Sequence, residues 1–150
     1  MEWMLMPLRR YAEFSGRSRR KEFWMFVLFM MLVYAACGVL MLGGGLGASL
    51  ATFNTGSPPQ FTPVFWLGIG LLGLVALAML VPSVAVTVRR LHDRDMSGWW
   101  YLGVIIVGAI PFVGFLANIA FLVLMCLPGT PGPNRFGPDP KGTDSYEAFA

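Results

Sequence analysis

A chain of 150 residues has room for one domain, and with 56% hydrophobic and 13% charged residues it falls well short of the roughly 25% charge of a soluble domain. The formal net charge of +3 does not point to nucleic acid, because the basic residues crowd against the ends of apolar runs and form no basic domain of their own. Cys37 and Cys126 lie inside apolar segments without CxxC or CxxH spacing, so they read as apolar filler and not as a metal knuckle or redox pair.

The charges are segregated. No Asp, Glu, Lys or Arg occurs between Phe23 and Val88, nor between Met96 and Asn134. At the chain's own charged fraction the first stretch would hold roughly eight, each costing about 2.5 to 3.5 kcal/mol at a bilayer centre. Selection by lipid accounts for their absence.

Residues 1–22 combine Trp3, Leu5, Leu8, Tyr11 and Phe14 with the basic residues Arg9, Arg10, Arg17, Arg19, Arg20 and Lys21. This predicts an interfacial foot. Pro7 argues against one long helix, and a short segment after it is expected in the headgroup plane with Leu8, Tyr11 and Phe14 dipping inward. The stretch is too long and too basic for a signal-peptide n-region.

Residues 23–42 are a charge-free run long enough for a first transmembrane helix. Ser18 is the expected N-cap, which puts Arg19, Arg20 and Lys21 in the first turn against the helix dipole. Two reasons present themselves: the positive-inside rule, which holds this end in the cytoplasm, and an anion site made by free backbone N-H groups and guanidinium groups. Residues 43–64 carry no charge and predict an exterior loop. Gly43 and Gly47 have GxxxG spacing, although four glycines in five residues more simply end a helix.

Residues 65–88 predict a second span, entered through Phe65 and Trp66 and kinked at Pro82. Arg89 and Arg90 close it where cations suit the dipole. The polar hinge follows at 89–98. From Arg89 to Trp100 the chain reads RRLHDRDMSGWW, which includes its single histidine, His92.

Residues 99–127 are one apolar run entered through Ser97 as N-cap and an aromatic belt of Trp99, Trp100 and Tyr101. Two full crossings need about forty residues, so the expectation is one tilted span bent at Pro111 and Gly114. The alternative is a re-entrant hairpin broken at the same residues. Asn118 is expected to bond across to another helix. The tail, 128–150, is rich in Pro and Gly; its turn signals around Asn134, Arg135 and Phe136 predict an ordered loop lying back on the membrane surface. The basic residues, six in the foot, three in the hinge and two in the tail, favour an odd number of crossings. The expected fold is an all-α integral membrane protein with three transmembrane helices, N-terminus cytoplasmic and C-terminus outside.

Phe14-Ser15-Gly16-Arg17 with Arg20, Glu22 and Trp24, then Pro82, then Arg89-Arg90-Leu91-His92-Asp93 with Ser97-Gly98-Trp99-Trp100, and finally Pro128-Gly129-Thr130-Pro131-Gly132 with Asn134, Phe136-Gly137 and Pro138-Asp139-Pro140 resemble the bacterial "domain of unknown function 805" family. The resemblance covers nearly the whole chain. It implies residence in the bacterial inner membrane and brings no catalytic residues with it.

On the plainest reading, Arg89, Arg90 and Arg94 serve the positive-inside rule while Glu22, Asp93 and Asp95 neutralise them, with Arg89 and Asp93 spaced to meet on a continuing helix. A more specific reading brings foot and hinge together on the cytoplasmic face. Arg17, Arg20, Arg89, Arg90 and His92 then form a site for an anionic lipid headgroup, Glu22 and Asp93 orient the guanidinium groups, and Trp24, Trp99 and Trp100 pack the acyl stem. Catalysis is not expected: His92 and Asp93 point about 100° apart on a helix, Ser97 has no nucleophile elbow, and one histidine with Asp93 and Asp95 makes a thin metal shell. Neither a metal nor another cofactor is implied. An accessory or regulatory subunit docking a larger membrane protein, or a homo-oligomer, is the alternative to lipid binding; a transporter would require an oligomer.

Overall fold

A computed structural model describes residues 2–56 and 58–142; the end of the expected tail, 143–150, lies outside the described residues. The described residues are helical throughout apart from turns and loops: α1 (Glu2–Arg9), α2 (Arg20–Met41), α3 (Gly47–Ala51), α4 (Pro63–His92), α5 (Trp99–Gly108) and α6 (Val113–Cys126). They form two compact units, one from Met1–Phe26 and Val81–Ala150, the other from Val27–Leu80. Every Lys, Arg, Asp and Glu in the sequence falls in the first unit.

In the second unit, the charge-free sequence yields helix because nothing interrupts it until the glycine run. α2 is regular to Met41; a wide turn at Leu42–Leu46 follows, in which Gly45 takes φ +109°, a conformation that L side chains rarely adopt. Gly44 packs on the Phe65 backbone, and its carbonyl accepts from the Thr62 N-H at 2.9 Å and the Thr62 hydroxyl at 3.1 Å. On α4, Gly68 abuts Met41, where an added Cβ would lie 2.8 Å from Cγ. Close approach therefore falls to Gly44, Gly45 and Gly68, while Gly43 has open space.

α2 and α4 carry 22 and 30 residues, about 33 and 45 Å at 1.5 Å per residue, and both exceed a hydrocarbon thickness of about 30 Å. Their apolar side chains face outward: Leu77 is 72% exposed, and Leu32, Val39 and Leu74 are also exposed. A soluble helix would hide these residues. The protein is a helical bundle with at least two membrane-spanning helices. α4 continues through Pro82 to His92, so Arg89 and Arg90 belong to its last turn.

Three local expectations change. α1 runs through Pro7 instead of following it, and Tyr11 and Phe14 lie beyond its end. Loss of one internal bond is tolerable in so short a helix. Ser18 does not cap α2; its hydroxyl is buried without a hydrogen bond, while its N-H donates to the Arg89 carbonyl at 3.1 Å. Asn118 bonds back along its own helix to the Gly114 carbonyl at 2.8 Å.

The largest change concerns residues 99–127. The single kinked span is replaced by α5 and α6, an antiparallel hairpin that turns at 109–112. Gly114 lies directly on the Gly108 backbone, and Tyr101 stacks on Phe121 with centroids 5.8 Å apart. Phe112 at the tip has φ +62° and is 88% exposed. The chain therefore comes back to where it started, and the tail hydrogen-bonds the hinge: the Thr130 N-H donates to the Asp93 carbonyl at 2.8 Å. A tail on the side opposite the hinge is excluded by that contact.

Candidate functional site

Consecutive positions on the last turn of α4 point Arg89 and Arg90 in different directions. Arg89 reaches the first turn of α2, where its Nη1 lies 3.2 Å from Glu22 Oε1. Neither atom has a well-aligned hydrogen bond, so charge more than geometry holds the pair. Arg90 reaches the end of α6. Its Nε and Nη2 donate to the Met125 carbonyl at 3.3 and 3.2 Å, Nη2 also to the Leu127 carbonyl, and Nη1 to Asp93 Oδ2. The last carbonyls of a helix lack internal partners and carry its negative dipole end. Here arginines satisfy them, with Arg20 on the Cys126 carbonyl at 3.2 Å, while Arg94 donates to the Pro128 carbonyl just beyond the helix.

Arg17 completes the knot. Its Nε donates to Asp93 Oδ1 at 3.0 Å, while Nη1 and Nη2 donate to the carbonyls of Gly132 and Thr130, each at 2.6 Å. Asp93 is thus gripped from two sides. Arg17, Glu22, Arg89, Arg90 and Asp93 are all buried, so the ionic groups form the interior while apolar side chains form the outside.

The tail is ordered by the same chemistry. Its prolines have no N-H to offer, and the arginines supply the donors its carbonyls need. Asn134 Nδ2 donates to the His92 carbonyl at 2.9 Å, and Asn134 exchanges backbone hydrogen bonds with Gly137 at 3.0 Å. Phe136 stacks flat on His92, centroids 3.9 Å apart. Asp139 accepts from the Lys141 and Gly132 N-H groups at 2.9 and 3.1 Å. Those two bonds, led by Lys141 and helped by the charges of Arg17 and Lys141, hold its carboxyl below the ordinary range.

Foot and hinge therefore meet, as the charge pattern implied, but the arginines do something else there. Arg17, Arg89 and Arg90 give their hydrogens to Asp93 and to backbone carbonyls or lie against Glu22, and are not turned to an outside phosphate. Arg89 and Asp93 do not pair; the partners are Glu22 and the Arg17–Arg90 couple. Trp24 meets Phe23 edge-on at 5.4 Å, and Trp99 and Trp100 are exposed. The contributions of Thr130 and of the Met125 carbonyl had no sequence signal beyond the Pro-Gly motif. Among the described residues no group of His, Cys, Asp and Glu stands close enough to hold a metal.

Beside the knot lies a cavity of about 510 Å³. One wall is a face of α4, with Val84, Val88 and His92 at successive fourth positions; the other is α5, with Tyr101, Leu102 and Ile105. Phe14 of the foot, Ser97 and Gly98 of the hinge and Trp99 at the start of α5 line one end. Gly98 fits because a Cβ there would press into Val88 at 2.8 Å. Ser97 is not the residue immediately before α5; its hydroxyl accepts from the Trp99 N-H at a long 3.5 Å. His92 Nδ1 lies 3.2 Å from the Gly16 carbonyl.

Apolar outer faces, a charged interior in one unit and a second unit without charge define a multi-pass helical membrane protein. The chain belongs to the DUF805 family, described as proteins of unknown function, which it matches over residues 11–138. It is 40% identical over 143 residues to Inner membrane protein YhaH of Escherichia coli (strain K12), covering 94% of this chain and 98% of that protein. Inner membrane protein YhaI of the same strain is 38% identical over 141 residues, covering 94% and 97%. No solved structure matches it. The chain is a small bacterial inner-membrane protein.

Proposed function

We propose that this protein is a lipid-binding module of the inner membrane that seats one amphiphile in the cavity beside the hinge. The cavity itself carries the reading: about 510 Å³, within the 300 to 1,000 Å³ usual for small-molecule sites, mostly apolar, with a few polar groups at one end. Exposed cations of the foot, Arg9, Arg20 and Lys21, hold anionic headgroups at the membrane surface, at about 1 kcal/mol each. Docking to a larger membrane protein would give the cavity no role.

Filling the cavity with Val84→Trp and Leu102→Trp should lower the lipid retained per protein severalfold on purification in mild detergent, measured by mass spectrometry. Retention at the wild-type level overturns the reading. Quenching of Trp99 by brominated acyl chains, read in a variant whose other four tryptophans are replaced by phenylalanine, gives a second readout: strong quenching supports a seated chain, and quenching no greater than at an annular position opposes it.

The topology belongs to the same proposal. All eleven basic residues lie in the first unit, and the positive-inside rule then puts foot, hinge and tail in the cytoplasm. α5 and α6, with 10 and 14 residues, span about 15 and 21 Å and enter the bilayer without crossing it. Reporters fused to the N- and C-termini are expected to be active in the same compartment, the cytoplasm. A periplasmic C-terminal reporter would refute the hairpin reading.

A further inference from the structure

The cavity has a direction. His92 and Ser97 belong to the hinge, whereas Val84 lies eight residues before His92 on α4, about 12 Å away, and Ile105 lies six residues into α5, about 9 Å along it, at 1.5 Å per residue. A polar end therefore opens at the hinge, and an apolar trough leads away from it between α4 and α5. Such a shape suits a molecule with a small polar head and an apolar stem.

The head end can be read atom by atom. A carbonyl oxygen only accepts, so the contact between His92 Nδ1 and the Gly16 carbonyl places the proton of a neutral imidazole on Nδ1. Nε2 is then an acceptor. Ser97 adds a hydroxyl able to donate or accept, and the Tyr101 ring, stacked on Phe121, lies one turn deeper. The neighbouring cations are already paired. Arg10 makes a two-pronged contact with Glu13, both bonds 2.7 Å, and Arg135 lies against Asp95 at 3.1 Å. Arg17 and Arg90 are buried against Asp93 and the tail.

A phosphate at this end would lose water, meet a lone pair at Nε2 and find no unpaired cation lining the cavity among the described residues. A hydroxyl would donate to Nε2 and exchange a hydrogen bond with Ser97. Resting on the groove reading above, we infer that the occupant is an uncharged, hydroxyl-headed amphiphile of the diacylglycerol class, and that the anionic lipids drawn to the foot stay outside the cavity.

The full-length protein, stripped of lipid in detergent at pH 8, above the ordinary histidine pKa of about 6.5, is titrated with dioleoylglycerol and with dioleoylphosphatidylglycerol, and bound lipid is counted by native mass spectrometry. The diglyceride is expected to bind at least tenfold more tightly. His92→Asn keeps a side-chain amide for the Gly16 carbonyl but removes the Nε2 acceptor; combined with Ser97→Ala it should bring the two lipids to within about twofold. Val84→Trp should abolish saturable binding of the diglyceride. Equal or tighter binding of the phosphatidylglycerol by the wild type, sensitive to Val84→Trp, overturns the head inference and leaves the groove standing. Binding of both lipids untouched by Val84→Trp defeats the groove itself.

Discussion

Arg90→Ala is expected to lower the unfolding free energy in detergent by about 3 to 5 kcal/mol, the usual range for breaking a buried ion pair by removing one partner. The side chain is fully buried and is shared among Asp93, the Met125 carbonyl and the Leu127 carbonyl. Alanine leaves the carboxylate with Arg17 alone and strips the Met125 and Leu127 carbonyls of their side-chain donor. The tail should loosen with it, so trypsin should cut after Arg135 or Lys141 far faster than in the wild type. Arg90→Lys should recover little, because an ammonium cannot span a carboxylate and two carbonyls as a planar fork does. An exposed cation such as Arg9 is the control, with an effect within about 0.5 kcal/mol. A loss below about 1 kcal/mol for Arg90→Ala would mean that the knot is ornamental to stability.

The two long helices were legible because lipid removes charge from whatever it surrounds, and a water-facing fold would not keep every charge out of a run as long as Phe23 to Val88. The meeting of foot and hinge was legible too, since basic residues gather on one side of a membrane. The hairpin was not. In a soluble chain a turn such as 109–112 would be marked by polar residues, whereas here Ile110, Pro111 and Phe112 are apolar and exposed, so composition did not separate the turn from the helices on either side of it. Pattern reading also treats arginines as solvated. Arg17 and Arg90 are buried because their partners are largely backbone carbonyls of α6 and the tail, and a carbonyl has no residue identity to read. The available clue was negative: a tail so rich in proline presents acceptors in excess of donors. Arg17, Arg19, Arg20, Arg90 and Arg94 all lie against its carbonyls or against the end of the helix that leads to it.

Gly129→Ala is expected to destabilise the protein by about 3 kcal/mol. A Cβ at Gly129 would overlap the carboxylate of Asp93. Overpacking alone commonly costs about 1 to 3 kcal/mol, and it is relieved when the neighbour can move. Asp93 cannot move freely. Arg17 holds one oxygen, Arg90 the other, and its backbone carbonyl accepts from the Thr130 N-H at 2.8 Å and the Thr130 hydroxyl at 3.2 Å. The added methyl must either unseat the tail or break a buried ion pair. Gly132 three residues on provides the comparison: its φ is +73° and a Cβ there meets open space, so Gly132→Ala should cost only the left-handed backbone penalty of about 1 to 2 kcal/mol. Denaturant midpoints and tail proteolysis on the two variants separate packing from backbone strain. If Gly129→Ala is no worse than Gly132→Ala, Asp93 has room to shift, and the tail is held by its arginines without the close fit at glycine.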